Sequence, residues 1–292
     1  MAASGIDAHA HLWTYSPTAH VWMDPARQSS LMRDYTIGEL ASLMLSAGVR
    51  GVIAVQASQT LAETDFLLAL ADRPASPIVG VVGWVDLCSP SLPAQLSAYA
   101  GARALVGVRH VVHDEVDDLF MARPAFRAGI AALAAHGLAY DLLLFPKHLP
   151  LAATLAADFP DVRFVLDHCG NPDIRRAGRS EAERAQGLAE WEAGLRALAA
   201  LPNVHCKLSG LVTRADWRDW AQADLDAVLG VVVSAFGPSR CMQGSDWPVC
   251  TLSADYAATL GAVASFAQRH LSAEEAAEVA GGTAARVYRR RA

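Results

Sequence analysis

Eight times along this chain an apolar, strand-length segment is followed by an alanine- and leucine-rich helical stretch, and most of the segments end in polar residues. The strand candidates cover residues 5–11, 49–57, 78–86, 105–113, 138–144, 162–168, 204–209 and 240–246. Continuous apolar runs suit parallel strands that are covered by helices on one side and packed inside a barrel on the other. The helical stretches cover 36–47, 60–70, 93–102, 125–135, 151–157, 181–200 and 217–232, with 254–270 and 273–287 at the end. Several open with an N-cap residue and an early acid, as Thr36 does with Glu39.

The fold this pattern predicts is α/β, a distorted (β/α)8 TIM barrel, formed as one domain over residues 1–292. A doubly wound sheet would place a glycine-rich phosphate loop after the first strand. That position holds His9 and His11 instead, with no GxGxxG. In a closed eight-stranded barrel the first and last strands are neighbours. The segment Gly5-Ile6-Asp7-Ala8-His9-Ala10-His11-Leu12-Trp13 then meets Gly244-Ser245-Asp246-Trp247-Pro248 at the C-terminal mouth, where barrel chemistry sits.

Composition narrows the class. The hydrophobic fraction of 53% owes much to alanine, and no apolar run reaches the ~18 residues of a membrane-spanning helix. The first residues carry no basic n-region, so no signal peptide is expected. A net charge of −6 without a basic run argues against nucleic acid as a partner. Five scattered cysteines, an odd number without a CxxC, read as reduced thiols in a cytoplasmic protein.

Several residues are candidates for chemistry. His9 and His11 alternate on one strand and so face the same side. Imidazole binds zinc well, although two histidines alone also fit packing roles. Asp7 has the same parity one layer deeper. His168 ends the sixth strand candidate, and a regular strand would turn the adjacent Asp167 away from it. Asp246 is suited to take a proton from water, to ligate a metal or both, or else to cap a helix. Arg109 would clamp a carboxylate or polarise a carbonyl oxygen. Gln56, Ser58, His113 and Asn171 would meet substrate hydroxyls, and Trp13, Trp84 and Trp247 would pack against a ring. Lys207 lies within a strand, where a stem reaching out to water would explain it. The stretch 14–34 is a natural wall or lid.

The order of these motifs is similar to that of the amidohydrolase-related sugar lactonases, the L-rhamnono- and L-fucono-lactonase group related to 2-pyrone-4,6-dicarboxylate lactonase. The resemblance rests on Ile6-Asp7-Ala8-His9-Ala10-His11-Leu12-Trp13, Gly107-Val108-Arg109-His110, Val165-Leu166-Asp167-His168-Cys169-Gly170, Cys206-Lys207-Leu208-Ser209-Gly210-Leu211 and Gly244-Ser245-Asp246-Trp247-Pro248. It covers essentially the whole chain and implies a distorted (β/α)8 barrel. It makes His9 and His11 the first-strand histidines, His168 the sixth-strand histidine and Asp246 the aspartate that handles the hydrolytic water. The chain departs from the pattern at Ala10, where glutamine is usual, and at His113, where glutamine is frequent. No carboxylated-lysine pattern is present, which argues against a two-metal site. Relatives differ over whether they need a metal at all.

The resulting expectation is an enzyme that opens a sugar-acid lactone to the aldonate, with Asp246, His168 and Arg109 as the catalytic set. His9, His11, His168 and Asp246 would hold one divalent metal, zinc first and Mn2+ or Ca2+ after it, while metal-free catalysis stays open. The partner is a small-molecule sugar lactone, and the chain is a monomer or homodimer. The alternatives are a pyrone dicarboxylate lactonase, a decarboxylase or hydratase of an unsaturated acid, and a sugar-acid binding protein without turnover. Three or more cations directed into the pocket would favour the pyrone dicarboxylate.

Overall fold

The computed structural model describes residues 5–289. Eight strands run β1 (Gly5–Ala10), β2 (Val49–Val55), β3 (Ile78–Gly83), β4 (Leu105–Val111), β5 (Ala139–Leu143), β6 (Phe164–Leu166), β7 (Val204–Leu208) and β8 (Cys241–Gln243). Each pairs in parallel with the next, so sheet order equals chain order. One main helix follows each strand: α1 (Ile37–Ser46), α2 (Leu61–Ala71), α3 (Leu92–Ala98), α4 (Pro124–Ala135), α5 (Leu149–Asp158), α6 (Glu181–Ala199), α7 (Gln222–Phe236) and α8 (Tyr256–His270). This is the expected (β/α)8 barrel. No helix among the described residues is long and apolar enough to cross a membrane.

Two apolar layers hold the barrel. A large outer cluster packs the strands against the helices. A smaller inner one fills the barrel with Ala8, Ile53, Val55, Val82, Val106, Ala139, Val165 and Met242, and Ala284, Val287 and Tyr288 close its floor. Those last residues come from the C-terminal helical turns, where Glu278–Gly282 packs against both β1 and β8.

β1 and β8 close the ring at the mouth rather than along a ladder. The His9 carbonyl accepts from Asp246 N at 2.8 Å, and His11 N donates to the Trp247 carbonyl at 2.6 Å. The Asp7 carboxylate adds to this seam by accepting from Ser245 N at 2.9 Å and Ser245 Oγ at 2.6 Å. Gly244 allows the approach, because a Cβ there would lie 2.9 Å from His9 Cβ and 3.1 Å from Ser209 Cβ.

The predicted sixth and eighth strands overrun the observed ones. β6 stops at Leu166 and β8 at Gln243, because His168 (φ 52°), Cys169 (φ 56°) and Asp246 (φ 57°) take the left-handed conformation. Such non-glycine residues cost on the order of 1–3 kcal/mol each and are held by their surroundings. The helix predicted over 217–232 begins instead at Gln222, capped by the Asp224 carboxylate accepting from Ala221 N, and ends before Gly237 (φ 74°). Trp217 lies in the preceding loop, where Asp216 accepts from Arg176 N and Ala177 N.

Candidate active site

The seam and the β6 exit bring four side chains together. The Nε2 atoms of His9 and His11 lie 3.2 Å apart. Asp246 Oδ1 lies 3.4 Å from His11 Nε2 and 3.8 Å from the Nε2 atoms of both His9 and His168. All four residues are buried. The other ring nitrogens are engaged. His11 Nδ1 sits 2.8 Å from the Val55 carbonyl, which makes it the donor and leaves the Nε2 lone pair facing the cluster. His168 Nδ1 is 2.9 Å from Ser209 Oγ. The left-handed turn at His168 is what aims its ring inward, and Gly210 makes room for it, since a Cβ there would fall 2.6 Å from His168 Nδ1. Among the described residues no backbone N–H donates to the Asp246 carboxylate, so it does not serve as a helix cap.

A charged layer lies directly beneath. Lys207 Nζ contacts Asp141 Oδ2 at 2.6 Å, Asp167 Oδ1 at 3.0 Å and His9 Nδ1 at 3.0 Å. Arg109 donates to Asp167 Oδ2 at 3.0 Å and to the Gln56 carbonyl, and its NH1 is 3.3 Å from His9 Nε2. Two cations thus face two carboxylates out of contact with solvent. Burial raises the Asp141 carboxyl to about 6 against the pull of Lys207. Burial also acts to raise Asp167, but Lys207, His9 and Arg109 outweigh it and hold that carboxyl well below the usual range. Burial, reinforced by Lys207, pushes the His9 imidazole well below its ordinary value, and burial lowers His168 as well.

This layer corrects two expectations. Asp167 does not turn away from His168, because the strand ends before both and the turn brings them to the same interior. Lys207 does not extend its stem to water, for its ammonium is fully enclosed. Asp141 and Tyr288 escaped notice altogether, although an aspartate inside the apolar run Tyr140-Asp141-Leu142-Leu143 was an available signal.

Above the cluster opens a cavity of about 330 Å3 lined by His11, Arg109, His168 and Asp246, with His113, Asn171, Trp22, Gln28, Phe145, Thr213, Arg214 and Trp217 among the walls. Its size is at the lower end for small-molecule sites. His113 stacks on Phe145 at 4.6 Å, and burial with the nearby Arg109 charge lowers its imidazole to about 3. Asn171 donates to the Leu144 carbonyl, which leaves its amide oxygen for other partners.

Gln56, Ser58, Trp13, Trp84 and Trp247, expected to meet substrate, do not line this cavity. Gln56 is sealed against Arg109. Ser58 ties down the first loop by donating to the Ala19 carbonyl. Trp84 lies beside α2, its backbone exchanging hydrogen bonds with Thr64 Oγ1. Trp13 and Trp247 pack edge-on against Tyr35 beneath the mouth. The aromatic walls are Trp22, Phe145 and Trp217, and Arg214 is a lining cation that sequence reading missed. Lys147, Arg175 and Arg176 lie outside this lining and pair with Asp118, Asp173 and Asp216. Arg109 and Arg214 are therefore the cations of the wall among the described residues.

The donor set suits a divalent metal. Donor atoms of His9, His11 and Asp246 lie within 4.8 Å of one another. A tetrahedral ion with Zn–N distances of roughly 2.0–2.1 Å implies donor–donor edges of about 3.3 Å, close to the spacings above. Ring nitrogens fixed from behind, as in His11 and His168, are what metal-binding histidines need.

Known proteins extend these observations. An L-fucono-1,5-lactonase of Burkholderia multivorans is 42% identical over 99% of this chain and 97% of its own length. An L-fucono-1,5-lactonase of Burkholderia ambifaria is 37% identical over 97% of this chain and 95% of its own. A crystal structure of an amidohydrolase from Burkholderia multivorans with bound zinc superposes with a TM-score of 0.92 at 40% identity, covering 99% of this chain and 100% of that one. The family model described as Amidohydrolase matches residues 6–290. With that match spanning nearly the whole sequence, and the barrel mouth built as described, the chain belongs to the Amidohydrolase family.

Proposed function

We propose that this chain hydrolyses a sugar-acid lactone, an L-fucono-1,5-lactone or a close relative, to the open aldonate. The observation that carries the reading is the convergence of Asp246 with His9, His11 and His168 on the floor of a cavity whose wall is aromatic and polar. The two Burkholderia lactonases, similar over nearly their whole length, support it.

Water positioned at Asp246 attacks the lactone carbonyl, and the Asp246 carboxylate takes its proton. Negative charge then builds on the former carbonyl oxygen, and the Arg109 guanidinium is placed to stabilise it. As the tetrahedral centre collapses, the ring C–O bond breaks and the proton on Asp246 passes to the departing alkoxide. The carboxylic acid so formed ionises on release. His113 is neutral at pH 7, so it and Asn171 meet sugar hydroxyls without presenting a charge, while Trp22 and Trp217 flank the ring. His9, His11, His168 and Asp246 would hold one divalent cation, zinc by preference, and its contribution when bound is Lewis acidity toward the carbonyl. Two wall cations are fewer than a pyrone dicarboxylate calls for, which favours the sugar lactone.

The test is acid release from L-fucono-1,5-lactone by the wild-type protein and by Asp246→Asn, which keeps shape but removes the base. Asp246→Asn should lose at least about a thousandfold in kcat, the upper part of the 10²–10⁴ range for a general base. Full turnover by the variant would sink the mechanism. Release of CO2 from an aromatic acid, with no lactone opened, would replace it with the decarboxylase reading.

A further inference from the structure

The floor of the barrel carries a polar contact that leads back to the site. Tyr288 follows the last helical turn, Thr283–Val287, and its ring is buried with Ala284 and Val287 in the inner cluster. Its hydroxyl lies 2.9 Å from Asp141 Oδ1 and 2.8 Å from Oδ2. Asp141 Oδ2 accepts from Lys207 Nζ at 2.6 Å, and that ammonium sits 5.3 Å from the centre of the Tyr288 ring. Lys207 Nζ is in turn 3.0 Å from His9 Nδ1. On the far side of the same ring, His9 Nε2 faces His11 and Asp246.

We infer that Tyr288 is a positioning residue for the active site, acting through Asp141 and Lys207 on the orientation of His9. The inference rests on the lactonase reading above for its kinetic consequence, but not for its geometric one. Among the described residues, Tyr288 is the hydrogen-bond partner of Asp141 Oδ1. Without the hydroxyl the carboxylate's remaining hydrogen-bond partner among the described residues is Lys207, and it is free to rotate about its terminal torsion. Lys207, which Asp167 Oδ1 holds at 3.0 Å on its other side, then loses one of its two anchors, and its 3.0 Å placement against His9 Nδ1 loosens. The same ammonium fixes Asp167 Oδ1, and that oxygen lies 3.3 Å from His9 Nδ1. An acceptor that takes the distal N–H of a working histidine is worth about ten- to a hundredfold in metal affinity or activity. The last turns of the chain thereby become part of the catalytic apparatus from the opposite end of the barrel.

The experiment compares Tyr288→Phe with wild type and with Val287→Ala, a packing change on the same floor that removes none of the relay's hydrogen bonds. Three quantities are read: kcat and KM on the lactone, Tm, and the imidazole 15N shifts of His9, assigned with the aid of His9→Gln. Tyr288→Phe keeps the ring and should hold KM within twofold, lower kcat about tenfold and move the His9 shifts. Val287→Ala should lower Tm and leave kcat and the His9 shifts in place. Wild-type kcat and unmoved His9 shifts in Tyr288→Phe would overturn the inference. So would an equal loss of kcat in Val287→Ala, which would make the role structural. If the wild-type protein opens no lactone, the lactonase reading falls, and the His9 shifts alone decide for or against the relay.

Discussion

A lysine ammonium sealed inside a barrel has to be balanced where it lies. Lys207 is balanced by Asp141 and Asp167, and Asp167 is shared with Arg109. Breaking such a set by removing one partner costs about 3–5 kcal/mol, because the other charges stay buried and uncompensated. We expect Lys207→Met to fall in this range, a drop in Tm of roughly 6–20 °C at about 2–4 °C per kcal/mol. The double variant Lys207→Met/Asp141→Asn should recover a large part of it. Scanning calorimetry of both decides the matter, and a double variant no better than the single one would mean that the charges are not the cause. The sequence makes Lys207 conspicuous but does not pair it. Its partners come from β1, β5 and the β6 exit, and their meeting depends on which way each strand faces. The same limit hid Arg214, whose place on the wall is set by the loop after β7 and not by any strand parity.

Strands and their exits differ in what determines them. Apolar runs bounded by turns located all eight strands, since burial on two faces demands such runs. The exits were set too long because His168, Cys169 and Asp246 adopt a conformation that their side chains do not advertise. The glycines around them were more telling. Gly244 stands where β8 passes within van der Waals contact of β1. Gly244→Ala should force the two exits apart, displace His9 relative to Asp246 and lower kcat by more than about tenfold, an effect in line with ångström-scale misplacement. A crystal structure and kinetics of the variant check this together. Normal kcat with an unmoved seam would show that neighbouring side chains absorb the methyl. Helix ends followed capping chemistry where it was written locally, as at Thr36 with Glu39. They went astray around Trp217, where an apolar residue serves the cavity wall instead of a helix face.

For the molecule as a whole, the candidate metal ligands come from β1 and its exit and from the exits of β6 and β8, so an ion bound there would tie the ends of the ring together. A ligand that binds only the folded state stabilises it by RT ln(1 + [L]/Kd), about 2.7 kcal/mol at a hundredfold excess over Kd. Zinc at that excess should raise Tm by roughly 5–10 °C, with about one zinc per chain by elemental analysis, and a chelator should reverse both. A Tm indifferent to zinc and chelator would leave the histidines and Asp246 to act without an ion. The seam between β1 and β8 sharpens what is at stake. Its backbone bonds run through His9, His11, Asp246 and Trp247, so three of the four residues that frame the chemistry also shut the ring. A change that loosens the joint is therefore felt twice, as lost durability and as lost turnover. This chain has little freedom to trade one against the other where β1 meets the exit of β8.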